Sequence, residues 1–131
     1  MDKEQQELFF KLSMFEQQIQ NIQQQLQAVE KAILNMSSLS LDLDELKGGE
    51  GKETLSSIGR GIFAKTKLVS EELIVDVGGR HLVKKSISDT QRIIKEQIEK
   101  LEEAREELNK AMNEINKQLT DTMLEHQKKG S

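Results

Sequence analysis

The 131-residue chain carries 19 basic and 23 acidic side chains, a net charge of -4, four Phe as its only aromatics, and no Trp, Tyr, Pro or Cys. With 32% charged residues and a mean hydropathy of -0.61 there is too little apolar material for a compact central core, and abundant Glu, Lys, Gln and Leu point to long helices instead. The acidic balance leaves no electrostatic footprint for nucleic acid; the start, MDKEQQELFF, has neither the basic region nor the apolar run of a secretory leader, and no stretch is long and apolar enough to span a bilayer. The expectation is a soluble cytoplasmic protein.

The first predicted element is a helix over residues 1–38. From Leu8 the apolar positions are Leu8, Leu12, Phe15, Ile19, Ile22, Leu26, Val29, Ile33 and Met36, spaced alternately by four and three. With Leu12, Ile19, Leu26 and Ile33 at a, and the others at d, this is the seam of a coiled coil. Phe9, Phe10 and Met14 fall off that seam, at e, f and c. They either widen the stripe against a neighbouring helix or form an exposed apolar patch. A linker is expected over 39–53, where Ser, Asp and three Gly accumulate, although Leu39, Leu41, Leu43 and Leu46 could also extend the helix or cover one edge of the sheet.

Residues 54–86 differ from both flanks. Apolar and β-branched residues alternate over Thr54–Ile58, Ile62–Leu68, Leu73–Val77 and His81–Ser86. Gly59-Arg60-Gly61 and Gly78-Gly79-Arg80 separate them, and both separators supply the positive-φ residues of tight hairpin turns. Two consecutive β-hairpins follow. Such short hairpins are marginal alone, so Ile58, Ile62, Phe63, Ile74, Val75, Val77, Leu82 and Val83 are expected to meet other subunits' strands.

The last element is a helix over 87–128, capped by Ser86 or Ser88. Its seam runs Ile94, Ile98, Leu101, Arg105, Leu108, Met112, Ile115 and Leu119, with Arg105 as a cation at an a position. Arg105 either lays its stem along the seam with its charge in solvent or near Glu102, or fixes the helix register. Beyond Leu119 the seam falls on Thr122 and His126, while Met123 and Leu124 lie off it. An antiparallel helical hairpin brings both failing seams together. Leu8, Phe9, Phe10, Met14, Leu119, Met123 and Leu124 would then share one end, as a candidate binding patch for varied apolar partners.

No catalytic apparatus is visible. Gly59-Arg60-Gly61-Ile62-Phe63-Ala64 fits G-x-G-x-x-A, but a strand pattern follows it where a dinucleotide site needs a helix. Gly51-Lys52 is not part of a P-loop, and Asp42, Asp44 and Glu45 lack the spacing of a calcium loop. His81 and His126 stand alone, so neither metal nor cofactor is expected. Asn35-Met36-Ser37 is a glycosylation sequon in form only, given the missing leader.

The order helix, two hairpins, helix resembles the alpha-class subunits of prefoldin. The most specific part is Ile58-Gly59-Arg60-Gly61-Ile62-Phe63-Ala64-Lys65, then Leu73-Ile74-Val75-Asp76-Val77-Gly78-Gly79 and Val83-Lys84-Lys85-Ser86. The chain departs from the family pattern at Arg80-His81, where a small-residue turn is common, and at Lys84, where an acidic residue is. The resemblance implies a single domain over 1–131, predominantly α with a small β part. It also implies a hexamer of two alpha and four beta subunits whose hairpins form β-barrels. The implied activity is ATP-independent capture of unfolded polypeptides at coiled-coil tips and their delivery to a group II chaperonin. The absence of tails looks more archaeal than eukaryotic. The competing expectation is a structural coiled-coil scaffold with fixed partners, in which Phe9, Phe10 and Met123 would be buried.

Overall fold

The computed structural model describes residues 2–129. Six elements follow in order: α1 (Lys3–Leu46), β1 (Glu53–Gly59), β2 (Ile62–Lys67), β3 (Leu73–Asp76), β4 (Leu82–Lys85) and α2 (Ile87–Lys129). By packing, the chain divides into two compact units, one built from 1–33 with 100–131 and the other from 34–99.

The first unit is helical. Asp2 caps α1: its Oδ1 accepts the Gln5 backbone N–H at 2.8 Å, and Gln5 Oε1 accepts the Asp2 N–H at 3.3 Å. This reciprocal pair satisfies two donors that the first turn would otherwise leave open. The expected seam residues are the covered ones here. Leu8, Leu12, Phe15, Ile19, Leu26 and Val29 on α1, and Leu101, Leu108, Met112, Ile115 and Leu119 on α2, are half-buried, and Ile22 is buried. The two helices run antiparallel, since Gln25, Ala28 and Val29 border one groove with Ala104, Glu107 and Leu108, while Glu4, Leu8 and Lys11 border another with Thr122 and His126.

The second unit holds both hairpins and a small core. Leu43, Ile87 and Ile94 are buried together, with Met36, Leu46, Leu73 and Ile98 packed against them. That cluster explains why α1 continues to Leu46, past the expected end at residue 38. Leu43 and Leu46 keep the apolar face going, and burying such side chains outweighs the weak helix propensity of the Ser and Asp between them. The linker is therefore only the stretch around Gly48–Lys52. Gly48 takes φ 71, the Gly49 N–H bonds back to Leu46 O at 3.0 Å, and the Gly48 N–H donates to the Glu71 carboxylate. At the other boundary Ser86 is the cap of α2, its Oγ accepting the Asp89 N–H at 3.0 Å.

Each hairpin is its own two-stranded antiparallel sheet. In the first, Thr54 pairs Thr66 and Ser57 pairs Phe63, and an extra residue, Ile58, bulges before Gly59 pairs Ile62. Arg60 and Gly61 close the turn with φ 49 and 78, the double positive φ of a type I′ turn. The second pairs Leu73 with Lys85, Ile74 with Lys84, Val75 with Val83 and Asp76 with Leu82. Its turn has the same character: the His81 N–H bonds Gly78 O at 3.0 Å across Gly79 and Arg80, whose φ values are 59 and 64.

Candidate functional site

Two surfaces carry the residues singled out by the sequence, one in each unit. In the helical unit, the end that holds the N-terminus of α1 and the C-terminus of α2 is poorly zipped. Leu8 there borders a groove whose other wall is Thr122, Glu125 and His126, so a d-position leucine meets polar side chains. The off-seam residues stay in solvent. Phe9 and Phe10 are 64% and 65% exposed, and Met14, Met123 and Leu124 are exposed as well. Leu8 and Leu119, being seam residues, are half-buried. Glu4, Glu7, Lys11, Glu125 and His126 rim this end with charge of both signs. The result is an apolar surface with flexible Met and flat Phe side chains, able to bury varied apolar groups without imposing hydrogen-bond geometry.

In the second unit, the strand register sorts the hairpin residues by face. Ile74 and Leu82 are exposed, as are Val77, Ile58, Ile62 and Phe63. Val75 and Val83, paired with each other, are half-buried, on the same face as Leu73, which packs on the helical cluster. Of the expected set, Val75 and Val83 are thus half-buried and the other six exposed. In the first hairpin the covered face is small and polar: Thr54 and Thr66 share a hydroxyl hydrogen bond of 2.8 Å, and Ser56 and Thr66 another of 2.8 Å. The opposite face presents Leu55 beside Phe63, both exposed. Leu55 was legible as part of an alternating strand but lay outside the expected set. Leu34 and Leu41 of α1 are both 66% exposed; Leu34 adjoins the seam, and Leu41 is one of the four leucines that carry the helix past Met36.

Polar organisation in the second unit is local. Gln91 Nε2 donates to Ser40 O at 3.0 Å and to Asp44 Oδ1 at 2.7 Å, and Lys47 pairs with Asp44 at 3.3 Å. The Gln91 amide first, then Lys47, hold the Asp44 carboxyl below its ordinary range. A carboxyl depressed on folding contributes stability that is complete above its ordinary pKa and lost as pH falls through the lowered one. Solvent screening keeps that contribution small. Arg105 is half-buried in the seam of the first unit and makes no ion pair with Glu102 or any other described carboxylate. Among the described residues no group of three or more His, Asp or Glu side chains gathers as a metal site, and no helix is long and apolar enough to cross a membrane.

Comparison with known proteins places this arrangement. A family model described as prefoldin subunit matches residues 15–131. The prefoldin subunit alpha of Methanobrevibacter smithii is 31% identical over 99 residues, covering 75% of this chain and 68% of that one. The prefoldin subunit alpha of Methanosphaera stadtmanae is 30% identical over 84 residues, covering 64% and 61%, so the chain spans about three-fifths of that relative's length. Among solved structures, a filamentous PFD from Methanocaldococcus jannaschii, seen by cryo-EM, shares the fold with a TM-score of 0.78 at 22% identity over 88% of this chain and 97% of that one. Two long helices joined through two antiparallel hairpins, together with these matches, make the chain a member of the prefoldin family, similar to its alpha subunits.

Proposed function

We propose that this chain acts as one domain, residues 1–131, in an oligomeric cytoplasmic chaperone, and that it holds unfolded polypeptides through the apolar helix ends of its helical unit. The observation that carries the proposal is the exposure of Phe9, Phe10, Met14, Met123 and Leu124 where the seam gives way to Thr122 and His126, with Leu8 and Leu119 as the half-buried floor. Burying one such side chain contributes roughly 1.5–3 kcal/mol at most. Useful affinity then needs several contacts on several subunits at once, which multivalency supplies. Weak, distributed contacts also allow release without ATP.

Assembly would use the exposed hairpin residues Ile58, Ile62, Phe63, Ile74, Val77 and Leu82, with Val75 and Val83 supporting them from the covered face. Membership of the prefoldin family supports an assembly of two alpha and four beta subunits with hairpins joined into β-barrels, and delivery of the held chain to a group II chaperonin. The test is suppression of aggregation of an unrelated unfolded protein. Phe9→Ser, Phe10→Ser and Met123→Ser together should remove protection while leaving assembly mass and Tm unchanged. Undiminished protection would place client binding elsewhere; loss of folding would make these residues core, as a fixed scaffold requires.

A further inference from the structure

Sulfur is unevenly distributed over this chain. It has no Cys, so thioethers are its only sulfur, and with no Trp or Tyr there is no thiol, indole or phenol to compete for an oxidant. Of the five methionines, Met1 lies outside the described residues. Two others are covered: Met36 packs against the cluster of Leu43, Ile87 and Ile94, and Met112 is half-buried in the seam. The remaining two, Met14 and Met123, are 45% and 49% exposed. One stands on α1 and one on α2, and both belong to the apolar helix ends, off the seam that zips the helices. Thioethers open to solvent are thus found, among the described residues, only in the surface assigned to client binding.

Resting on that reading of the helix ends, we infer that Met14 and Met123 form an oxidation switch for the client-binding surface. The oxidant is a two-electron oxygen donor such as hypochlorous acid. Each sulfur gains an S–O bond and gives up two electrons; the O–Cl bond breaks, chloride leaves and the proton goes to solvent. An adaptable apolar side chain becomes a polar sulfoxide, whose oxygen needs a hydrogen-bond donor if it is to be buried. A surface that holds varied apolar groups without fixed hydrogen-bond geometry offers no such donor, so burying client there leaves the oxygen unpaired. Because each helix contributes one methionine, both walls of the patch are altered together, and losses on several subunits compound through multivalency. The fold is untouched, since the covered Met36 and Met112 are the methionines that serve packing. Sulfoxide reductases reverse the change, and the exposure of both sites gives them access.

Limited treatment of the protein with hypochlorous acid tests this. Peptide mapping by mass spectrometry should find the added oxygen on Met14 and Met123, with Met36 and Met112 still thioethers. The concentration that half-suppresses aggregation of an unfolded protein should rise at least about tenfold, with assembly mass and Tm unchanged, and sulfoxide reductases should restore it. Met14→Leu with Met123→Leu, judged against its own untreated level, should lose no protection on the same treatment; Met1 is common to both proteins and cancels in the comparison. Full protection by a parent carrying both sulfoxides would overturn the proposal. So would an equal loss in the leucine variant, a lowered Tm in the oxidised parent, or oxidation of Met36 and Met112 ahead of the exposed pair. The Phe9→Ser, Phe10→Ser, Met123→Ser protein separates the two readings. If it has lost protection while the oxidised parent keeps it, the switch alone fails; if it protects fully, the helix-end site fails and the switch with it.

Discussion

Arg105 shows how a single residue is accommodated by the periodicity that surrounds it. It occupies an a position, half-buried, and among the described residues its charge finds no carboxylate within ion-pair distance, Glu102 included. A guanidinium in that setting reaches solvent past its neighbours while its methylenes cover the seam. We propose that it contributes packing through its stem and little through its charge. Arg105→Leu should raise the Tm, by about 1 kcal/mol of added stability, with no change of oligomeric mass by native mass spectrometry. Mixed species in that variant would mean that the cation fixes helix register, and a lower Tm would require a specific partner for it. The seam position was plain from the sequence; the missing partner was not, because whether Glu102 swings toward Arg105 depends on rotamers rather than spacing.

At the scale of elements, the boundary that was open from the sequence was settled by hydrogen bonding. Ser86 and Ser88 both stand before the α2 periodicity, yet Ser86 Oγ accepts the Asp89 N–H, and Asp89 lies in the first turn, where its charge suits the helix dipole. Ser86→Ala should cost about 1 kcal/mol, and Ser88→Ala, inside the helix, less than about 0.5 kcal/mol, both read as shifts in thermal unfolding. Equal costs would contradict the assigned cap. The far end of α1 was less legible. Ser37-Ser38-Leu39-Ser40 and the acidic residues after it argue locally for an exit from the helix, and only contact of Leu43 and Leu46 with the cluster around Ile87 and Ile94 carries it on to Leu46. The hairpin turns, by contrast, were readable from their glycines. The bulge at Ile58 was not, since nothing in an alternating pattern marks which residue loses its partner.

On the scale of the whole molecule, the sequence pattern and the family assign different things. Failure of both seams in residues at opposite ends of the chain was enough to anticipate an apolar patch, because antiparallel helices bring those residues together. The sorting of hairpin residues into exposed and half-buried faces needed the strand register. Ile74 faces out opposite Lys84, so Ile74→Asp should abolish assembly, measured by sedimentation, while far-ultraviolet circular dichroism keeps its helical signal. Unchanged mass would remove the hairpins from the interface. The central claim, that client binds the helix ends, can be read directly because the chain has only four phenylalanines. Phe9 and Phe10 lie in the exposed patch, Phe15 in the seam and Phe63 on the first hairpin. Labelled with para-fluorophenylalanine and assigned by single Phe→Leu variants, they give four fluorine resonances. On addition of an unfolded protein, Phe9 and Phe10 should shift and broaden while Phe63 keeps its position; a response confined to Phe63, with Phe9 and Phe10 unmoved, would contradict the account.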